Sequence, residues 1–248
     1  YSFPEYDTQQ SIYMDLLKEL NEAQAALNGA SAAAMKSADN FYQGDASKWR
    51  KFANSLMLRV AMRMSKVDPA AAEQWVKTAV ANGVFESDAD NCMLMHAGGL
   101  TTNDSSEPYA KIYSHEDRGN FFLTEYFVDL LKSTNDPRLS LIGTVCEDPT
   151  ISVQAGSDFQ YGDSAPAVQK GLPSGFSDSP DSPWFVGNKY PEFKDEDYRS
   201  TYRSRYSTIN RYTYSDPTGP TFVCTYAQTQ LLLAEAAVRG WVDGSAQT

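Results

Sequence analysis

The sequence predicts a mainly α-helical protein made of tetratricopeptide-like helix pairs, with an irregular, loop-rich lobe inserted among them. Two observations lead to this. From Asp45 to Gly83, apolar residues recur at steps of three and four in two segments, separated only by the break Val67-Asp68-Pro69. From about Glu147 to Phe222 that period is lost, and seven of the twelve prolines fall between Thr150 and Pro220.

In the first of the two segments Trp49, Phe52, Ala53, Leu56, Val60 and Met64 form one stripe on a 3.6-residue helix. Asp45 or Ser47 can cap its start. In the second, Asp68 is the expected cap, Pro69 fits the first helical position, and Ala72, Trp75, Val76, Ala79 and Val80 form the apolar face. Gly83 stands where a left-handed residue ends a helix. So short a break forces an antiparallel hairpin, with Leu56 expected to be fully buried inside it. Lys48, Arg50, Lys51, Arg59 and Arg63 are expected on a solvated face, Arg59 and Arg63 pairing with internal carboxylates.

A further helix is expected before the hairpin, capped by Asp7 or Thr8, with Ile12, Leu16, Leu20, Ala23 and Leu27 as its apolar positions. Phe85 to Ser106 has no helical period. Phe122, Tyr126, Leu130 and Leu131 mark another helix, and Leu139 to Val145 reads as a short strand. From Thr225 the period returns through Tyr226, Thr229, Leu233 and Ala237. We expect a single domain over 1–248, with a helical scaffold at 1–146 and 222–248 and an aromatic lobe at about 147–221. The strict consensus of a 34-residue tetratricopeptide repeat is absent.

The chain has 248 residues and a formal net charge of −11. That charge excludes a nucleic-acid backbone as partner and docking on anionic lipid headgroups. The three cysteines, Cys92, Cys146 and Cys224, lack zinc-type spacing and read as buried thiols or at most one bridge. No apolar run reaches the roughly 20 residues of a membrane-spanning helix.

Catalytic motifs are missing. The two histidines are His96 and His115, and His115-Glu116 lacks the second histidine of a zinc-protease site. No nucleophile elbow, phosphate loop or dinucleotide fingerprint occurs. Acidic pairs such as Glu116-Asp117 and Asp195-Glu196-Asp197 read as solvated surface groups rather than glycosidase carboxylates or a calcium site. No catalytic residue, cofactor or metal is therefore expected. The lobe is different. Tyr161, Phe176, Trp184, Phe185 and Tyr190 lie among Gly, Pro, Ser and Asp, outside any helical stripe. A flat ring can stack on the C–H face of a sugar while neighbouring polar groups hydrogen-bond its hydroxyls, and loops are where such groups occur. Trp184, Tyr161, Phe176 and Tyr190 are the candidate ligand-binding residues; the alternative is that they form the lobe's own small core.

Tyr42-Gln43-Gly44-Asp45-Ala46-Ser47-Lys48-Trp49-Arg50-Lys51-Phe52-Ala53-Asn54-Ser55-Leu56 resembles the GD…KWxKFANSLxLRxAMR signature of the SusD/RagB-like proteins. Phe3 to Gln9, Asn135-Asp136-Pro137-Arg138-Leu139, and Tyr226 through Leu233-Ala234-Glu235-Ala236-Ala237 to Trp241 match in the same order. The resemblance is thin between about Glu147 and Phe222. It implies a non-enzymatic subunit that binds an oligosaccharide or polysaccharide at the cell surface and delivers it to a SusC-like TonB-dependent outer-membrane transporter. Starch-like glycans are the implied class; peptide capture, known among relatives, and glycoside hydrolysis are the alternatives. Members of the family are longer and lipid-anchored, so the sequence is expected to be an internal piece whose anchor, its only membrane attachment, lies outside it.

Overall fold

The computed structural model describes residues 6–30, 36–98, 121–146, 162–175, 183, 206–210, 213 and 216–244. The chain forms two compact units, Tyr1–Met95 with Pro220–Thr248, and His96–Gly219. Helices dominate the described residues, as the sequence predicts.

The first unit contains α1 (Gln9–Ala26), α2 (Ala46–Arg63), α3 (Pro69–Asn82) and α6 (Tyr226–Val238), with strands β1 (Cys92–Met95) and β5 (Pro220–Cys224). Three predicted caps form. Thr8 Oγ1 accepts from the Ser11 amide at 3.2 Å, Asp45 Oδ1 from Ser47 and Lys48, and Asp68 Oδ1 from Ala71 at 3.0 Å. Gly83 ends α3 at φ 92°, where a side chain would be strained.

Helix α2 packs against α1, α3 and α6, so burial covers more of its circumference than a single stripe. Its buried residues include Ala53, Met57, Leu58, Ala61 and Met62. Leu56, expected at the centre of the hairpin, is only half-buried. The core joins Met57 and Leu58 to Leu17, Val76, Ala79, Ala236 and Trp241, with Trp75 packed against it. Trp49 packs on a second cluster of Tyr42, Phe85, Cys92 and Cys224.

The face of α1 is rotated by one residue from the sequence reading. Leu17 and Gln24 are buried, and Tyr13 and Leu20 pack on the core. Ile12 and Leu16 are exposed at 45% and 42%. Two apolar stripes lie side by side on this helix, and the one carrying Leu17 meets α2. Gln24 satisfies its amide on Asn21 Oδ1.

The basic face of α2 is not simply solvated. Lys48 Nζ donates to the Ala89 carbonyl at 2.8 Å, and Lys51 Nζ bridges Glu86 and Asp90. Arg59 and Arg63 were expected to meet carboxylates. Arg59 instead donates to the Gln228 amide oxygen and the Val223 carbonyl, and Arg63 to the Tyr13 hydroxyl. These oxygens lie on α6, β5 and α1, the elements that surround α2.

In the second unit, α4 (Glu125–Ser133) is followed by α5 (Leu139–Ile142) and β2 (Gly143–Cys146). Leu139 to Val145, expected as one strand, is thus split between a helical turn and a strand. Strand β2 pairs antiparallel with β3 (Gly162–Asp163) and β4 (Thr208–Ile209). Val128 and Leu131 face the core of α4, with Leu123 and Leu139. Tyr126, expected on that face, is 77% exposed, Leu130 is also exposed, and Phe122 precedes the helix. Gln169 is fully buried, and its Nε2 donates to the Gly143 and Asp163 carbonyls. Gly171 lies so close to the Thr124 carbonyl that a Cβ there would clash with it.

Candidate functional site: an aromatic nest and a polar cleft

The stretch before α2 is wound around one carboxylate. Gln43 and Gly44 both have positive φ, 52° and 82°. This left-handed pair turns successive backbone N–H groups inward. Asp39 Oδ1 accepts from Phe41 at 2.9 Å and Tyr42 at 3.1 Å. Its Oδ2 accepts from Gly44 at 2.8 Å and from the Trp49 indole nitrogen at 2.8 Å. Partial burial opposes the charge on Asp39, but these four donors outweigh it and hold the carboxyl at about 2. The indole, fixed in this way, meets Phe41, Tyr42 and Phe52 edge-on, with centroids 5.9, 5.2 and 5.6 Å away. Trp49 is therefore part of a structural nest, as its helical placement predicts.

The signature segment has further structural roles. Asn54 is fully buried, and its Nδ2 donates to the Asn82 and Gly83 carbonyls at 3.2 and 2.9 Å. It thereby satisfies the end of α3. Ser55 Oγ accepts from the Phe85 amide at 2.9 Å. Tyr42 Oη donates to the Asp90 carbonyl at 2.8 Å. The Asp90 carboxylate accepts from Glu86 and Ser87 amides and pairs with Lys51. Burial pushes the Asp90 pKa up, but these donors win and lower it.

A cleft opens where the start of α1 meets the end of α2. It encloses about 320 Å³ and is lined by Gln9, Gln10, Tyr13, Arg63, Met64, Val67 and Asp68. Arg63 Nε donates to Tyr13 Oη at 3.1 Å, which fixes the phenol. The wall offers amides, a guanidinium, a carboxylate and a ring edge. Such a mixture of donors and acceptors suits a hydroxyl-rich ligand, and the volume is at the lower end of small-molecule sites. Sequence reading did not find this cleft. Its residues come from three elements, and Arg63, Met64, Val67 and Asp68 were read for other roles, as a charge, a stripe residue and the break with its cap.

Trp184, Tyr161, Phe176 and Tyr190, together with Phe185, lie outside the described residues. Pro183, directly before Trp184, is exposed. Among the described residues no group of three or more His, Cys, Asp or Glu is placed to hold a metal ion, and no helix is long and apolar enough to cross a membrane.

A family model described as "Starch-binding associating with outer membrane" matches residues 1–248. The chain belongs to the SusD-like family. Solved structures agree with this assignment. One described as a chitin-binding protein is 33% identical, with a TM-score of 0.71 over 98% of this chain and 46% of its own. A chitin-binding SusD homolog from Flavobacterium johnsoniae is 26% identical, with a TM-score of 0.65 over 98% of this chain and 42% of its own. A SusD homolog from Bacteroides vulgatus is 28% identical, with a TM-score of 0.69 over 97% of this chain and 42% of its own. This SusD-like chain therefore spans somewhat less than half the length of these relatives. A comparison with curated proteins finds no match.

Proposed function

We propose that this chain is part of a glycan-binding subunit of an outer-membrane nutrient-uptake system. The observation that carries the reading is the family match over residues 1–248, whose description names starch binding at the outer membrane. Two structural relatives, 33% and 26% identical, are described as chitin-binding. They favour β-linked N-acetylglucosamine oligomers as first ligands to test, ahead of the starch-like glycans the signature alone suggests. The subunit binds and does not cleave. The family description and the descriptions of those relatives speak of binding.

The ligand-stacking residues are placed on the aromatic segment, with Trp184 leading and Tyr161, Phe176 and Tyr190 beside it. Pro183 stiffens the backbone before Trp184. A stiff aromatic on a turn loses little entropy on binding. The partner is a SusC-like TonB-dependent transporter, with the protein lipid-anchored on the cell surface.

Titration calorimetry with chito- and malto-oligosaccharides tests the ligand, and reducing-end analysis of the same mixtures tests for turnover. Saturable binding with unchanged oligosaccharide length is expected. New reducing ends would overturn the non-enzymatic reading, and peptide binding in place of sugar would redirect it. Co-purification from outer-membrane extracts tests the transporter.

A further inference from the structure

Strands β1 and β5 pair antiparallel, and Cys92 lies directly opposite Cys224. Residues opposed in this way have Cα atoms about 4.5 or 5.5 Å apart, inside the span of about 4.4–6.8 Å that a disulfide bridges. Both side chains enter the same cluster, with Tyr42 and Phe85, and are 1% and 3% exposed. Val223, the extra residue where the register shifts beside this pair, faces outward. Both cysteines are free thiols here.

We propose that Cys92 and Cys224 are a cross-link site: when the chain folds in an oxidising compartment, their thiols join as a disulfide that ties β1 to β5. Three observations support it. The two sulfurs belong to opposed residues of one strand pair. The cluster around them is aromatic, and among the described residues no group of three or more His, Cys, Asp or Glu is placed to hold a competing metal ion. The strands are also those through which the chain leaves the first unit after Met95 and re-enters it at Pro220. The bond would close a loop of about 130 residues, a length at which restricting the unfolded chain has a large effect. The setting rests on the outer-membrane reading above, because disulfides persist in oxidising compartments.

The chemistry balances with a low-molecular-weight disulfide such as oxidised glutathione. The thiolate of one cysteine attacks the oxidant's S–S bond, forms a mixed disulfide and expels one glutathione thiolate. The second cysteine attacks the protein sulfur of that mixed disulfide and expels the other glutathione. Two protein thiols lose two electrons, the oxidant's S–S bond is reduced, and the two protons pass to the two departing thiolates. Burial raises the pKa of both thiols. The folded pair therefore presents little thiolate, and exchange proceeds while the chain folds, before Tyr42 and Phe85 close over it.

The test is refolding of the 248-residue chain from denaturant, with and without oxidised glutathione, followed by alkylation in denaturant and non-reducing peptide mapping. The expected product is two hydrogens lighter, has one alkylatable thiol, Cys146, and contains a Cys92–Cys224 linked peptide. Its melting temperature should exceed that of the reduced protein by about 5–15 °C, the difference vanishing in dithiothreitol. Cys92→Ser and Cys224→Val should each form no 92–224 bond and show the same melting temperature after oxidative and after reducing refolding. Three alkylatable thiols after oxidative refolding to the native circular dichroism spectrum would overturn the proposal, as would a bond to Cys146. A bond that forms in the tube, with three thiols in protein isolated from its native cells, would count against the outer-membrane reading and leave the cross-link site standing.

Discussion

The indole nitrogen of Trp49 donates to Asp39 Oδ2 at 2.8 Å, and the same oxygen receives the Gly44 amide at 2.8 Å. An asparagine amide at position 39 could accept on one side only and would turn N–H donors toward donors on the other. Asp39→Asn should therefore destabilise the first unit by about 2 kcal/mol, the scale of hydrogen bonds to a charged group. Urea unfolding followed by Trp fluorescence measures this, and an unchanged midpoint would remove the nest as a stabilising feature.

The same carboxylate makes acid stability predictable. Its folded pKa lies at about 2, below its ordinary value of 3.8. A group depressed on folding contributes stability above the unfolded pKa and loses it as pH falls toward the folded one. Asp45 and Asp90 are shifted in the same direction. The melting temperature should be flat above about pH 5 and fall between about pH 4 and pH 2. Asp39→Asn should make that fall shallower. A scan of melting temperature against pH for both proteins decides it.

The position of the core on α2 gives a paired comparison. Leu58 is fully buried and Leu56 is half-buried. Leu58→Ala should cost about 2–5 kcal/mol, and Leu56→Ala clearly less. Chemical denaturation of the two variants in parallel would show the reverse order if the stripe read from sequence were the true core.

Asn54 holds the last carbonyls of α3 from within α2. Asn54→Ala leaves both acceptors buried without that donor, a loss of about 1–3 kcal/mol. Hydrogen exchange should show the last turn of α3 opening faster while α1 is unaffected. Uniform acceleration across the unit would mean that Asn54 acts through packing alone.

For the ligand, Trp184→Ala should weaken oligosaccharide binding by about ten- to one-hundredfold and barely move the melting temperature. That scale is taken from the roughly 1–3 kcal/mol measured for bases stacked on aromatic rings. A large fall in melting temperature with unchanged affinity per folded molecule would make Trp184 a core residue.

Local signals in the sequence were reliable wherever one residue acts on its own backbone. Thr8, Asp45, Asp68 and Gly83 end their helices as read, because capping depends on neighbours within three residues. Which stripe becomes the core was less legible. On α1 the stripes through Ile12 and Leu17 are both apolar, and only the position of α2 selects between them. On α4, Tyr126 satisfies the helical period yet faces outward. Strand β1 was invisible because Cys92 to Met95 does not alternate, and its partner β5 lies more than a hundred residues away. The cleft was missed for a similar reason: Gln9, Tyr13, Arg63 and Asp68 become neighbours only once three helices are packed.

The last rung of the β1–β5 ladder pairs Met95 with Pro220. A chain that departs and returns through hydrogen-bonded neighbours can be shortened there without stretching what remains. A hairpin turn of about two to five residues in place of 96–219 would span the gap. The four-helix unit could then be produced alone, or fitted with the intervening segment of another family member. The helical scaffold and the intervening segment would become separately exchangeable parts, and the graft point would be one residue pair at the end of a two-stranded ribbon.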